Sequence, residues 1–222
     1  MATYAGPTQV DIQPDEDVMT AHLENWFGEC MEGEIDIGWS DPITGGIKSF
    51  KRFDVGDFDQ AATYAAKANT TPGQSVYFRP AVIRPGSKHF VTDDDAQYVP
   101  GVWCDMDDEG AAEKARTIYS TCQPTSVVVT GRKPYTRVHL YWKFFEPEGA
   151  GALIKNLNAA IAKKLQGDSA VVNVSSLMRL GGSIAWPWKP GREPELTELK
   201  TFPKRAQTHT RLAVQHAFPL EP

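Results

Sequence analysis

Asp105 and Asp107 close the hydrophobic run Val99-Pro100-Gly101-Val102-Trp103-Cys104, with Met106 alone between them. On an extended strand, side chains two apart share a face, so both carboxylates project the same way while Met106 packs behind them. Two hard oxygen ligands at this spacing suit Mg²⁺ or Mn²⁺, ions that keep several waters and take further ligands from substrate phosphates. The same triplet also fits a polar turn after a buried strand. Two other clusters bear on the choice. One is the basic turn and His-bearing strand Gly131-Arg132-Lys133-Pro134-Tyr135-Thr136-Arg137-Val138-His139-Leu140-Tyr141-Trp142. The other is the Gly- and Pro-punctuated stretch from Asp168 to Lys189, with Arg179, Ser183, Trp186 and Trp188. Each has a structural use beside a chemical one: His139 as a half-buried strand residue or a phosphate ligand, Arg132 and Lys133 as a solvated turn or phosphate ligands. Arg179 would pair with a carboxylate or a phosphate, and the two tryptophans around Pro187 would pack or stack template bases.

These groups need elements to hold them. Asp15 or Asp17 can cap a helix running to about Phe27, where Gly28 stops it. Residues 34–39 and 47–53 read as a hairpin around Asp41-Pro42-Ile43-Thr44-Gly45-Gly46, and Asp57 to Ala68 reads as a helix. Residues 75–83 form a strand in which Pro80 implies an edge or a bulge. After the acidic strand come a helix over 111–121 and the β-branched strand 125–130, a succession that predicts a crossover unit. The strand 138–144, a helix in the Ala-rich later part of 146–165 and a closing strand over 195–200 complete the pattern. Residues 1 to 14 read as a loose arm, and the last fifteen or so lack periodicity.

The chain has 222 residues, 41% of them hydrophobic, enough to bury a core. A net charge of -5 argues against a generally basic nucleic-acid coat, but many of the Lys and Arg residues fall between Arg132 and Arg205, which leaves room for a local basic groove. Cys30, Cys104 and Cys122 have neither zinc-ligand spacing nor the density of a disulfide framework, so a reducing, cytoplasmic setting is expected. With no basic-then-apolar leader and no apolar run of the roughly 18 residues needed to span a bilayer, no membrane partner is expected.

Taken in order, Asp105-Met106-Asp107, Arg137-Val138-His139 and Met178-Arg179-Leu180-Gly181-Gly182-Ser183 resemble the catalytic motifs of the archaeo-eukaryotic primase superfamily. The likeness is closest to the primase-polymerase domains of phage and plasmid replication proteins, and it spans residues 75 to 200. The ordered set, not any single motif, carries it. It implies an α/β (α+β) fold, a mixed β-sheet flanked by helices with an RRM-like half. Residues 1–74 would be a helix-and-hairpin part of that domain, 75–203 the catalytic core, and 204–222 a tail or linker. The implied activity is template-directed nucleotidyl transfer, as DNA primase, DNA polymerase or both, by a two-metal mechanism in replication of a mobile element.

In that scheme Asp105, Asp107 and Asp168 hold Mg²⁺ or Mn²⁺, and His139 hydrogen-bonds the triphosphate of the incoming nucleotide. Arg132, Lys133, Arg137, Arg179, Ser183 and Lys189 contact nucleotide or DNA. Single-stranded DNA and nucleoside triphosphates are the implied partners, with a helicase domain or helicase partner in many relatives. Asp168 is taken as the third acid because Gly167-Asp168 follows the helix as the family's acidic motif does. Two positions depart from the pattern: Arg137 stands where the family usually has a small residue, and Asn173 where relatives often carry a second Asp. Two rivals remain: a metal-dependent glycosyltransferase using Asp105 and Asp107 on a nucleotide-sugar diphosphate, and a catalytically degenerate primase-like DNA-binding module. A rolling-circle nickase is disfavoured, because no closely spaced His pair is present.

Overall fold

The structure is a computed structural model that describes residues 11–87, 90–202 and 208–220. Most of the expected N-terminal arm lies outside the described residues. Helix α1 (Glu16–Phe27) starts where the extended Asp15 accepts a hydrogen bond from the Val18 amide at 3.0 Å, and Glu16 and Asp17 face the positive end of its dipole. Its buried stripe is Met19, His22, Leu23, Trp26 and Phe27. Strands β1 (Glu34–Ser40) and β2 (Ile47–Asp54) form the hairpin, and Asp41 Oδ1 organises the turn by accepting from the Ile43 and Thr44 amides. Helix α2 (Phe58–Asn69) packs on α1, with Ala61, Ala62 and Ala65 buried.

The run containing Pro80 is divided, as a residue without an amide donor requires: β3 (Val76–Phe78) and β4 (Val82–Ile83) each pair with β1. The acidic strand is β5 (Ala96–Met106). In place of one helix over 111–121 there are two, α3 (Ala111–Thr117) and α4 (Tyr119–Cys122), broken at Ile118. Then follow β6 (Ser126–Gly131), β7 (Arg137–Gly149), α5 (Ala152–Leu165), β8 (Met178–Arg179), β9 (Ile184–Ala185), β10 (Glu195–Leu196), β11 (Glu198–Thr201) and α6 (Arg211–Ala217).

Nine strands make one sheet in the order β11-β6-β7-β5-β4-β1-β3-β8, with β2 on β1, while β9 and β10 pair separately. Strand β7 lies between β5 and β6 and is antiparallel to both, so β5 and β6 run the same way across it. The expected crossover is therefore present in split form, its middle slot filled by the next strand. All strand pairings among the described residues are antiparallel; the one parallel contact is the isolated bridge between Phe144 and His209.

Alternation along β7 shows the layers. Tyr141 packs edge-on to Trp26 and His22 of α1. Trp142, on the opposite face, donates its Nε1 proton to the Cys122 carbonyl and packs edge-on to Phe218. Helices thus cover both faces, the α+β architecture expected. Part of the stretch expected as a tail joins this packing: His209 exchanges two backbone hydrogen bonds with β7, and Val214, Ala217 and Phe218 are buried. Among the described residues no helix is long and apolar enough to cross a membrane.

Candidate active site

The register of β5 on β7 places Asp105 directly opposite His139. That register shifts once, between Val99 and Gly101, where a Cβ on Gly101 would lie 2.1 Å from the Trp142 carbonyl oxygen. Only glycine lets the two backbones approach so closely. Asp105 Oδ1 lies 3.3 Å from His139 Nε2, and His139 Nδ1 lies 3.5 Å from the hydroxyl of Tyr141. Burial, with Asp105 nearby, holds the Tyr141 pKa well above its ordinary value, so the phenol stays protonated. The imidazole is thereby fixed between a carboxylate and a phenol.

Asp107 has different company. Lys189 Nζ lies 2.6 Å and Arg192 Nη2 2.8 Å from its Oδ2, and Arg137 Nε lies 3.7 Å from its Oδ1. Burial would raise the Asp107 pKa, but hydrogen bonds from Arg192 and Lys189 outweigh it and hold the carboxyl below its usual range. Arg137 explains its departure from a small residue by what it reaches. Its buried guanidinium touches the Lys133 carbonyl and Glu195, and a Cβ on Gly131 would lie 1.8 Å from its Nη2. Burial, then the neighbouring Arg192, lowers the Arg137 pKa.

Lys189 and Arg192 stand on the loop 186–194, closed at its base by the pairing of β9 with β10. The Asn69 side chain fastens that base to α2 by accepting from the Ile184 amide at 2.5 Å and donating to the Ile184 carbonyl at 3.1 Å. Trp186 is buried and donates to the Asn69 carbonyl at 3.1 Å, so it anchors the loop. Across the cleft, Arg179 has no carboxylate partner among the described residues. Its Nη2 donates to the Tyr77 hydroxyl at 3.4 Å, its guanidinium carbon lies 5.1 Å from the Tyr77 ring centre, and its Nη1 is buried with no hydrogen-bond partner among the described residues.

Asp105, Asp107, Arg137, His139, Arg179 and Lys189 therefore line one cleft of about 290 Å³. Arg192 and Tyr77 line it too and are not among the residues expected from sequence; the signal for Arg192 was its place in Lys189-Pro190-Gly191-Arg192, where a turn repeats a cation. Four expected residues lie elsewhere. Arg132 forms a bidentate pair with exposed Glu198, and Lys133 pairs with Glu193 at 2.7 Å. Ser183 is fully buried and donates to the Leu180 carbonyl at 2.6 Å. Asp168 is exposed: its Oδ1 accepts from the Ala170 amide at 2.7 Å, capping the short turn Ser169–Val171, although its own amide donates to the Asp105 carbonyl at 2.8 Å. Among the described residues, no three of His, Cys, Asp and Glu come together so as to hold a metal ion.

No protein-family model and no curated protein matches the sequence. Solved structures match the fold. Primase RepB' superposes with a TM-score of 0.63 at 19% identity over 90% of this chain, which spans 62% of that protein's length. The primase-polymerase domain of cyanophage S-2L superposes with a TM-score of 0.62 at 16% identity over 94% of this chain and 100% of that domain. The catalytic domain of RepB', solved with initiator DNA, gives a TM-score of 0.61 at 19% identity over 91% of this chain and 92% of its own length.

Proposed function

We propose that this chain, which has the fold of primase and primase-polymerase domains, catalyses template-directed nucleotidyl transfer, priming or extending DNA in the replication of a phage, plasmid or other mobile element. The observation that carries the reading is the cleft in which the Asp105–His139 pair faces the cations Arg179, Lys189 and Arg192. In-line attack of a 3′ hydroxyl on a nucleotide α-phosphate gathers negative charge on the phosphate oxygens, and preplaced guanidinium and ammonium groups stabilise it. Arg179 suits this best, since a phosphate oxygen would supply the partner its buried Nη1 lacks. Both ring nitrogens of His139 face protein groups, so its part is to orient Asp105, and the triphosphate falls to the cations.

The Mg²⁺ or Mn²⁺ of this reading belongs at Asp105 and Asp107. As the side chains stand they do not form its cradle, because Asp107 is held by three cationic groups and Asp168 caps a turn. Single-stranded DNA and nucleoside triphosphates are the proposed partners, with a helicase domain or helicase as a further one; the RepB' domain solved with initiator DNA supports a DNA partner. The same occupation of Asp107 favours a second reading, a primase-like module that binds nucleotide and DNA without catalysis. The shared fold lends nothing to a glycosyltransferase.

Incorporation of labelled nucleotides on primed and unprimed single strands with Mg²⁺ or Mn²⁺ separates the two. The first reading expects product from the native chain and a loss of at least about 100-fold in Arg179→Gln, the size of effect seen when a charge-stabilising group is removed. Triphosphate binding without any product establishes the second.

A further inference from the structure

Strand β8 is two residues long and lies at the end of the sheet, where Met178 and Arg179 pair with Phe78 and Tyr77 of β3. Beyond that pairing, the Arg179 guanidinium rests against the Tyr77 ring and makes a hydrogen bond to the Tyr77 hydroxyl that is long, at 3.4 Å. So short a ladder and so long a bond do not fix a side chain; the backbone that follows does. The carbonyl of Leu180, the next residue, accepts from the Ser183 hydroxyl at 2.6 Å, the Thr197 hydroxyl at 3.0 Å and, less closely, the Ser183 amide at 3.3 Å. Thr197 Oγ1 in turn accepts from the Ser183 amide at 3.0 Å. The Thr197 amide donates to the Ser183 carbonyl at 2.8 Å, and the Thr197 carbonyl accepts from the Gly182 amide at 3.1 Å. Leu180 and Ser183 are fully buried and Thr197 is 2% exposed, so water does not compete for these bonds. Neither hydroxyl lines the cleft, so neither touches a substrate there.

Resting on the reading in which Arg179 takes a substrate phosphate, we propose that Ser183 and Thr197 are positioning residues for that reaction: their hydroxyls converge on the carbonyl next to Arg179 and hold its guanidinium at the cleft. A buried polar network fixes one geometry when every member is satisfied and gives way when one is lost. Here the loss falls one peptide from the group that meets the phosphate. Thr197 also ties this wall of the cleft to the opposite one, because Glu195 and Glu198, on either side of it in the chain, hold Arg137 and Arg132. Ser183 thus serves the phosphate through Arg179 rather than by touching it.

The test is binding of inorganic tripolyphosphate, followed by titration calorimetry in EDTA. Thr197→Val, which keeps the shape and loses the hydroxyl, is expected to weaken binding about tenfold, and Thr197→Ser to restore it to within a few-fold of the native chain. Arg179→Gln weakens binding at least as much, and adding Thr197→Val to it changes nothing further, since the guanidinium that the hydroxyl positions is gone. Thr125→Val removes another buried hydroxyl, one that accepts from the Lys143 amide at 2.9 Å outside the cleft, and leaves the affinity unchanged. A merely structural role predicts otherwise: native affinity in Thr197→Val with its urea midpoint lowered, or the same loss whether or not Arg179 is present. Either result overturns the positioning. Ser183→Ala, which removes the other hydroxyl from the Leu180 carbonyl, carries the same comparison should Thr197→Val fail to fold. Incorporation of nucleotides by the native chain reports on the functional reading separately, so that reading can stand while the positioning falls; a native chain that binds no tripolyphosphate removes Arg179 as the phosphate ligand and the positioning with it.

Discussion

His22 lies beneath the cleft, 1% exposed, with Nδ1 accepting from the Gly181 amide at 2.9 Å and Nε2 lacking a hydrogen-bond partner among the described residues. Burial first, and His139 second, pull its pKa down to about 3. A base whose pKa is depressed by folding stays neutral in the native state while the unfolded chain begins to bind a proton near pH 6.5. Stability is therefore full above pH 6.5 and falls by about 1.4 kcal/mol per pH unit between there and pH 3. Denaturant titrations at pH 7, 6, 5 and 4 check this as a difference between native and His22→Gln chains: the native slope should be steeper across pH 4 to 6. Identical slopes would remove His22 from the account. Asp107 acts lower, its contribution being lost as pH falls through its depressed folded-state value. The types of the charged groups were legible in the sequence, but their partners were not. Arg132 and Lys133 read as phosphate ligands because they sit in an otherwise uncompensated basic turn, whereas Glu193, Glu195 and Glu198 reach that turn from some 60 positions later through β10 and β11. Pairings made that far apart leave no local pattern.

Elements with a strong local signal were readable: α1 is framed by an N-terminal Asp cap and the Gly28 stop, and β6 is a β-branched run buried along its whole length. Irregularities of register were not readable, since they depend on what the neighbouring backbone does. Gly101 is the clearest case. Nothing in Val99-Pro100-Gly101-Val102 shows that the Trp142 carbonyl fills the place a Cβ would take, yet the shift there sets the register in which Asp105 stands opposite His139. Gly149, at the other end of the same strand pair, has open space within 4 Å of the point a Cβ would occupy. Gly101→Ala should therefore cost roughly 1–3 kcal/mol of stability by overpacking and backbone displacement, whereas Gly149→Ala should cost well under that. Urea midpoints of the two variants test the contrast. Incorporation at a temperature where both are folded tests the second half of the argument, that displacing β5 on β7 moves Asp105 off His139 and lowers activity in Gly101→Ala alone.

The molecule closes around its own C-terminal stretch. The His209 amide donates to the Lys143 carbonyl at 2.8 Å and the Phe145 amide to the His209 carbonyl at 2.9 Å, which lays residues 208–210 along the far part of β7. Helix α6 then sets Phe218 edge-on to Trp142, with ring centres 5.3 Å apart, beneath the Lys164 ammonium at 5.4 Å. The sequence offered little sign of this, because a seven-residue helix with Val214 and Ala217 as its buried positions is too short to show a period, and its N-cap Thr210 is a single residue. Its packing on Trp142 nevertheless places it on the face of β7 opposite Tyr141 and His139, so α6 supports from behind the strand that carries the cleft. If this stretch belongs to the same cooperative unit, Phe218→Ala should lower global stability by about 3–5 kcal/mol, the range for emptying a buried aromatic site. Tryptophan fluorescence and far-ultraviolet circular dichroism should then shift together in one transition, because Trp142 reports on the contact and the sheet on the whole. A stretch merely resting on the surface predicts otherwise: an early, separate loss of the fluorescence change, with the dichroism midpoint left at its native value.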